Sequence, residues 1–308
     1  MMLYELNGKK LTHIRSNPFK LEKDIQDVVE ENLEELFGLE FVKSELSVEG
    51  FRFDTLCFDK ETNSFVIIEY KKGTNYSVID QGYTYLSVLL NNKSDFILEY
   101  NETKDHTLKR DDVDWSQSRI IFISPKFSEY QKTSINFKNV PFELWEISRF
   151  RNDTIGLNRI ETRSDVDINT TTKDEKNVVK QVSKEVVKID EDYHLWKSKN
   201  RPREIVELYQ VLKNRILQLG DDIEVKFNKQ TIGFKRYRTF SDLIIYNRGI
   251  IVMINLKKGE LNDPMNRTED VSQKGKWGNG DYRVKLQSEN DLEYVMSLIK
   301  QSYDKQGE

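Results

Sequence analysis

The chain has 308 residues, of which 48 are Lys or Arg and 52 are Asp or Glu, so its formal net charge is −4 at pH 7. With a net charge this close to zero, the whole protein has no strong electrostatic field that would attract it to nucleic acid or to a membrane. Any affinity for a polyanion must therefore come from a local group of basic residues. The length predicts two domains, and 37% hydrophobic residues suffice to build their cores.

The apolar runs are short. The run at residues 250–254 stops far below the roughly 18 residues of a membrane span, and the first residues lack the pattern of a secretory signal. The single Cys57 can form no internal disulfide, and His13, His106 and His194 are too scattered for a zinc site. These features predict a cytoplasmic protein that does not enter a membrane.

The first predicted elements are a hairpin and a helix. Asn7-Gly8 between two alternating segments is typical of a type I′ turn, which predicts a hairpin over residues 3–14. Apolar residues then recur at helical spacing over residues 18–37, and Gly38 can end that helix in a left-handed cap.

Strands and helices alternate through the rest of the N-terminal half, which predicts an α/β domain over residues 1–160. The predicted strands are 51–58, 65–71, 119–124, 142–150 and 155–160. The predicted helices are 78–90 and 128–133.

Residues 161–190 are rich in Asp, Thr, Lys and Glu and contain no aromatic residue, which predicts a polar linker. Several valines from residue 178 onward can form a short amphipathic helix that docks on a domain. Residues 191–308 are expected to form a second, smaller α+β domain. Its predicted elements are a helix between Pro202 and Gly220, strands at 223–227, 231–234, 240–246 and 250–256, and a closing helix from Ser288.

Charged residues interrupt the two apolar strands of the first domain. Residues two apart on a strand share a face, so Glu69 and Lys71 project together, and the hairpin brings Asp54 beside them. Buried charges cost several kcal/mol unless they are paired or bind a metal. Two carboxylates suit Mg²⁺ or Mn²⁺, and Lys71 can orient or deprotonate an attacking water.

These residues resemble the motif of the PD-(D/E)XK nuclease superfamily, an Asp on one strand and Glu-X-Lys on the next, although Phe53 replaces the customary proline. Gln81 and Tyr85, four residues apart on a predicted helix, match the Gln-xxx-Tyr motif of its RecB-like branch. The layout of residues 3–160 resembles the nuclease domain of archaeal NucS-type endonucleases.

The resemblance implies a restriction-endonuclease-like core, a mixed sheet flanked by helices, and a Mg²⁺- or Mn²⁺-dependent nuclease that cleaves DNA in repair or antiphage restriction. Asp54 and Glu69 would ligate the metal, Lys71 would act on the water, and Gln81 and Tyr85 would support them.

Members of the superfamily also carry a Glu on the preceding helix that faces the metal. Glu22, Gln26 and Glu30 lie on one stripe of that helix here. Glu22 is favoured as the third ligand, and Glu30 is the alternative.

Other interpretations stay open. The charged cluster could be structural, in which case the domain is an inactive nuclease-fold module that binds nucleic acid or protein. RNA as a substrate, endonucleolytic or exonucleolytic cleavage, and a homodimeric assembly are not decided by the sequence. The second domain resembles an uncharacterised domain of bacterial, including defence-associated, proteins. Its basic and aromatic residues are expected to be a solvated strand pair rather than a nucleic-acid groove.

Overall fold

The structure is a computed structural model, and it describes residues 2–73, 77–105, 107–136, 140–160, 178–186, 189–198, 200–273 and 279–306. The chain divides into two units, Met1–Lys188 and Ile189–Glu308. Within the described ranges, no helix combines the length and the apolar composition that crossing a membrane requires.

The first unit is built on a mixed six-stranded sheet. Its strands, in spatial order, are β3 (Glu40–Val48), β4 (Phe51–Asp59), β5 (Ser64–Tyr70), β6 (Arg119–Ser124), β7 (Phe142–Arg149) and β8 (Ile155–Ile160). Pairing is antiparallel except for β5 with β6 and β6 with β7, which are parallel. The two central strands, β5 and β6, are almost continuously apolar because both faces of the sheet are covered.

Helices cover the two faces of this sheet. One face carries α1 (Glu22–Glu30) and α2 (Leu33–Phe37), which pack against β3, β4 and β5. The other face carries α3 (Val78–Asn91), α4 (Lys93–Thr103) and α6 (Val178–Glu185), while the short α5 (Glu129–Ser134) follows β6. The predicted mixed sheet flanked by helices is therefore present.

Three elements of the first unit differ from the sequence prediction. The single helix expected over residues 18–37 is two helices, because the backbone of Asn32 leaves the helical region between them. The strand β3 and the helix α4 were not predicted, since charged residues dilute their apolar pattern. The amphipathic helix expected from residue 178 onward, within the linker predicted over residues 161–190, is present as α6. Val182 and Val186 at this end are buried in the core of the first unit. Residues 161–177 lie outside the described residues.

The predicted N-terminal hairpin is formed by β1 (Leu3–Asn7) and β2 (Lys10–Ile14), which make a separate two-stranded sheet. Gly8 in its turn has φ +64°, a conformation that glycine adopts readily. Most residues of both strands are exposed.

The second unit is a six-stranded antiparallel sheet packed against helices. Its strands, in spatial order, are β13 (Glu269–Asp270), β14 (Tyr282–Leu286), β12 (Gly249–Ile254), β11 (Thr239–Tyr246), β10 (Ile232–Lys235) and β9 (Glu224–Phe227). The helices α8 (Arg203–Leu217) and α9 (Leu292–Lys305) pack on this sheet, and the short α7 (Glu191–Trp196) precedes them. Their apolar residues share one core with the sheet.

Gly82 of α3 is required by close packing. A Cβ at this position would lie 2.6 Å from the ring of Phe142 on β7. Gly82→Ala is expected to lower the free energy of unfolding by about 1–3 kcal/mol, since overpacking outweighs the gain in helix propensity. Calorimetric melting of the full chain measures it. Thr84→Ala on the same helix is the control, and an unchanged melting temperature in Gly82→Ala would contradict this packing.

Candidate active site

The site begins where β4 and β5 stop pairing. Their ladder runs to the pair Thr55–Ile68, one residue short of Asp54 and Glu69. Beyond it, Oδ2 of Asp54 accepts a hydrogen bond from the backbone N–H of Tyr70 at 3.0 Å. The carboxylate thus replaces a strand carbonyl as the acceptor, which fixes Asp54 at the end of the apolar strands.

Glu69 and Lys71 lie beside Asp54. Nζ of Lys71 donates to Oε1 of Glu69 at 2.7 Å, and both residues are buried. The backbone N–H of Lys71 donates to the carbonyl of Ile123 on β6 at 2.8 Å, so the lysine is anchored to the parallel neighbour of β5. The predicted trio therefore converges at one end of the sheet.

Gln81 and Tyr85 extend this network from α3. Nε2 of Gln81 donates to Oε1 of Glu69 at 2.8 Å and to the Tyr85 hydroxyl at 2.9 Å. The Tyr85 hydroxyl in turn donates to the carbonyl of Arg52 on β4 at 3.0 Å. The four-residue spacing predicted from the sequence thus ties the helix to both strands of the site.

Gln26 and Glu30 of α1 support β4 from the opposite side of the sheet. Nε2 of Gln26 donates to the carbonyl of Asp54 at 3.0 Å and to Oε1 of Glu30 at 2.9 Å. The same Glu30 oxygen accepts from the Thr55 hydroxyl at 2.5 Å. Glu30 is thereby engaged with a neighbouring strand residue.

Glu22, the favoured third ligand, lies at the first turn of α1 and is exposed. Its Oε1 accepts from the backbone N–H of Lys72 at 2.7 Å, and its charge acts on Asp54. Within the described residues, no three His, Cys, Asp or Glu side chains are grouped closely enough to hold a metal ion alone. The structure therefore brings Asp54 and Glu69 together and leaves Glu22 at the rim.

Sequence reasoning missed Glu45, a further acidic residue at this site. On β3 it lies between Ser44 and Leu46, which pair with Thr55 and Phe53, so it is opposite Asp54. Its φ of +55° is uncommon for a residue with a side chain. The alternating apolar residues of β3 could have revealed the strand, whereas the backbone conformation has no signal in the sequence.

Burial governs the ionisation of both carboxylates. It raises the pKa of Glu69 to about 7, with a further rise from the charge of Asp54 that Lys71 and Gln81 oppose. Burial also raises the pKa of Asp54, against the hydrogen bond from Tyr70 and the charge of Lys71. The pair consequently resists carrying two negative charges at neutral pH.

The two oxygens of the Glu69 carboxylate differ in their contacts. Oε2 of Glu69 is buried and has no hydrogen-bond partner among the residues that the structure describes, while Oε1 has two. Buried polar atoms normally have a partner, so this oxygen fits the role of a ligand to a cation. Asp54 and Glu69 supply the hard oxygen donors that Mg²⁺ and Mn²⁺ prefer, and water would complete the set.

These features define the class: a two-unit α/β protein with a carboxylate pair and a lysine at the end of a mixed sheet. An uncharacterized protein of Haemophilus influenzae is 45% identical over 302 residues, which cover 98% of this chain and 99% of that protein. The chain belongs to the same family as that protein. A family model described as a domain of unknown function, DUF5655, matches residues 195–306 in the second unit.

Three solved structures show low similarity. A repair endonuclease from Pyrococcus abyssi matches with a TM-score of 0.29 and 18% identity, over 43% of this chain and 50% of that chain. An EndoMS–dsDNA complex gives 0.29 and 15%, over 47% and 64%. Pyrococcus furiosus SfsA in complex with Ca²⁺ gives 0.26 and 14%, over 53% and 77%. The chain thus spans about half of the first of these proteins.

Glu69 gives the stability a pH dependence of definite sign. Because its pKa rises from 4.5 to about 7 on folding, the folded state keeps a proton that the unfolded chain releases between these values. This contribution to stability is fully present below pH 4.5 and is lost as the pH rises through 7, by about 3 kcal/mol. Urea unfolding in EDTA from pH 4.5 to 8 should therefore show the wild type losing stability relative to Glu69→Gln.

The exposed Glu34→Gln substitution is the control for removal of a carboxylate, and it should follow the wild type over this range. A difference between wild type and Glu69→Gln that stays constant with pH would contradict the buried, protonated state of Glu69.

Proposed function

We propose that the protein is a Mg²⁺- or Mn²⁺-dependent nuclease that hydrolyses DNA phosphodiester bonds. The observation that carries the proposal is the buried Glu69 carboxylate. One of its oxygens accepts hydrogen bonds from Lys71 and Gln81, and the other has no partner in the described part of the chain. Buried polar atoms usually have a partner, so an oxygen left without one is suited to bind a cation. DNA is proposed because the residues and their order resemble those of nucleases.

The acidic and basic residues of the site would have different roles. Asp54 and Glu69 would hold the divalent cation, which supplies charge neutralisation at the phosphate when bound. Lys71, held by Glu69, would orient the attacking water and stabilise the negative charge that develops on the phosphate oxygens. The water oxygen would bond to phosphorus and release a proton to solvent as the P–O bond to the leaving oxygen breaks, and the leaving oxygen would take up a proton from solvent.

Gln81 and Tyr85 would act as positioning residues. Gln81 holds the same Glu69 oxygen that Lys71 contacts, so it fixes the direction in which the free oxygen points. Tyr85 holds Gln81 and is tied to the backbone of β4. Glu22 is proposed to contribute from the rim, where its charge reaches Asp54.

Binding of the cation should relieve the repulsion within the carboxylate pair. We expect 1 mM Mn²⁺, a concentration chosen as roughly 100 times a Kd on the order of 10 µM, to raise the unfolding free energy by about 2.7 kcal/mol. The effect should be larger at pH 8 than at pH 6, because protons compete for the same oxygens. Thermal shift assays on the wild type, Asp54→Asn and Glu69→Gln measure it, and equal Mn²⁺ shifts in all three proteins would contradict the site.

Cleavage is the direct test. Wild type and Lys71→Ala protein are incubated with supercoiled, linear, branched and single-stranded DNA and with RNA, each with Mg²⁺, Mn²⁺ or EDTA. We expect cleavage by the wild type that EDTA abolishes and that Lys71→Ala lowers at least about a hundredfold.

Lys60→Ala is the matched control, since Lys60 is an exposed lysine beyond the other end of β4. Cleavage of RNA alone would replace the proposed substrate. Intact substrates in every arm, with nucleic acid still bound, would favour a nuclease-fold binding module over the enzyme.

A further inference from the structure

The N-terminal hairpin presents an apolar face to solvent. The β1–β2 register pairs Leu6 with Leu11 and Tyr4 with His13, so these four side chains share one face. Leu6 and Leu11 are each 65% exposed and Tyr4 is 46% exposed. The rings of Tyr4 and His13 lie 5.3 Å apart, which makes a small aromatic platform beside the two leucines. Among the described residues of β1 and β2, no Asp, Glu, Lys or Arg lies on this face.

Positive charge surrounds this platform. Residues 2–20 contain four Lys and Arg against one Glu, a net charge of +3 in a chain whose net charge is −4. The exposed Arg15 directly follows β2, and its carbonyl accepts from the N–H of Arg151 at 2.9 Å. Arg15, Lys20 and Arg151 form no ion pair with any described residue. The platform therefore borders a surface that is complementary to a polyanion.

The same segment leads to the candidate active site. Lys20 follows Arg15 along the chain, and its carbonyl accepts a hydrogen bond from Nζ of Lys72. Lys72 is the neighbour of Lys71, and its backbone N–H is held by Glu22. Exposed cations thus lie on the segment that leads from the hairpin to the rim of the site, and on the residues that contact its backbone. We name Arg15, Lys20, Lys72 and Arg151 the basic track.

Resting on the proposed function, we infer that the hairpin and the basic track together bind the nucleic-acid substrate on its way to the carboxylate pair. Unpaired bases stack on the Tyr4–His13 platform and contact Leu6 and Leu11, and the phosphates follow the basic track. The substrate class is a strand with unpaired bases, because paired bases present no free faces to the platform.

A second copy of this chain fits the hairpin less well. Packing two such faces about a two-fold axis would bring the flanking cations of both copies together, with Glu5 as the only carboxylate in the hairpin of each. The repulsion between these cations would oppose association, whereas a polyanion is attracted by the same charges.

The test measures binding separately from cleavage. Full-length Asp54→Asn protein in EDTA is titrated with a fluorescent single-stranded DNA and with a duplex of equal length. Adding Tyr4→Ser, Leu6→Ser and Leu11→Ser should weaken single-strand binding about tenfold or more, with little change for the duplex. Adding Arg15→Gln and Arg151→Gln instead should weaken binding of both the single strand and the duplex. For the single strand, the slope of the logarithm of the binding constant against the logarithm of the salt concentration should become shallower by about 1.4.

Exposed residues elsewhere in the first unit give matched controls. Leu98→Ser and Tyr130→Ser remove apolar surface of the same type, and Lys109→Gln with Arg110→Gln removes equal charge. Unchanged single-strand binding in the hairpin variant would overturn the inference. So would a dimer, measured by sedimentation without DNA, that the hairpin substitutions dissociate. A wild type that cleaves nothing but binds through the hairpin would refute the proposed function and leave this inference standing.

Discussion

The hydrogen bond from the Tyr70 N–H to the Asp54 carboxylate holds the site together. Strands β4 and β5 must separate at this point for two carboxylates to share the space between them, and separation leaves a backbone donor without a strand acceptor. An unsatisfied buried N–H costs about 1–3 kcal/mol. Asp54 removes that cost and is also the proposed ligand, so truncating it disturbs strand and site together. Asn keeps an oxygen acceptor and is the cleaner substitution.

The same sheet contains a second buried charge cluster, in which the carboxylate oxygens are used differently. Asp59 is the last residue of β4, and its Oδ2 accepts from Arg119 at 2.9 Å while its Oδ1 accepts from the N–H of Glu61 at 3.0 Å. Arg119 also reaches Glu143 at 3.1 Å. Both oxygens of Asp59 are satisfied within the fold. Glu69, equally deep in the sheet, keeps one oxygen without a partner within the described ranges.

The parts of the site that could be predicted from the sequence are those that depend on the regular spacing of residues along a strand or a helix. Alternation along β5 places Glu69 and Lys71 together, and helical spacing places Gln81 with Tyr85. Glu45 was not predictable, because its position depends on the pairing of β3 with β4 and on a backbone angle that no local pattern specifies. The break between α1 and α2 was also not predictable, because the apolar spacing continues across both helices. Only the backbone conformation of Asn32 separates them.

Although the net charge of the whole chain is small, two neighbouring segments carry net charges of opposite sign. Residues 22–35 contain seven Asp and Glu against one Lys, a net charge of −6, immediately after the segment of net charge +3. Screening limits each field to about 8–10 Å at physiological ionic strength, so the two segments act locally rather than cancelling. A phosphate backbone is therefore repelled from the exposed side of α1 and α2 and attracted along Arg15 and Lys20. Under the proposed function, the acidic helices would restrict the direction from which nucleic acid approaches, and the basic track would attract it.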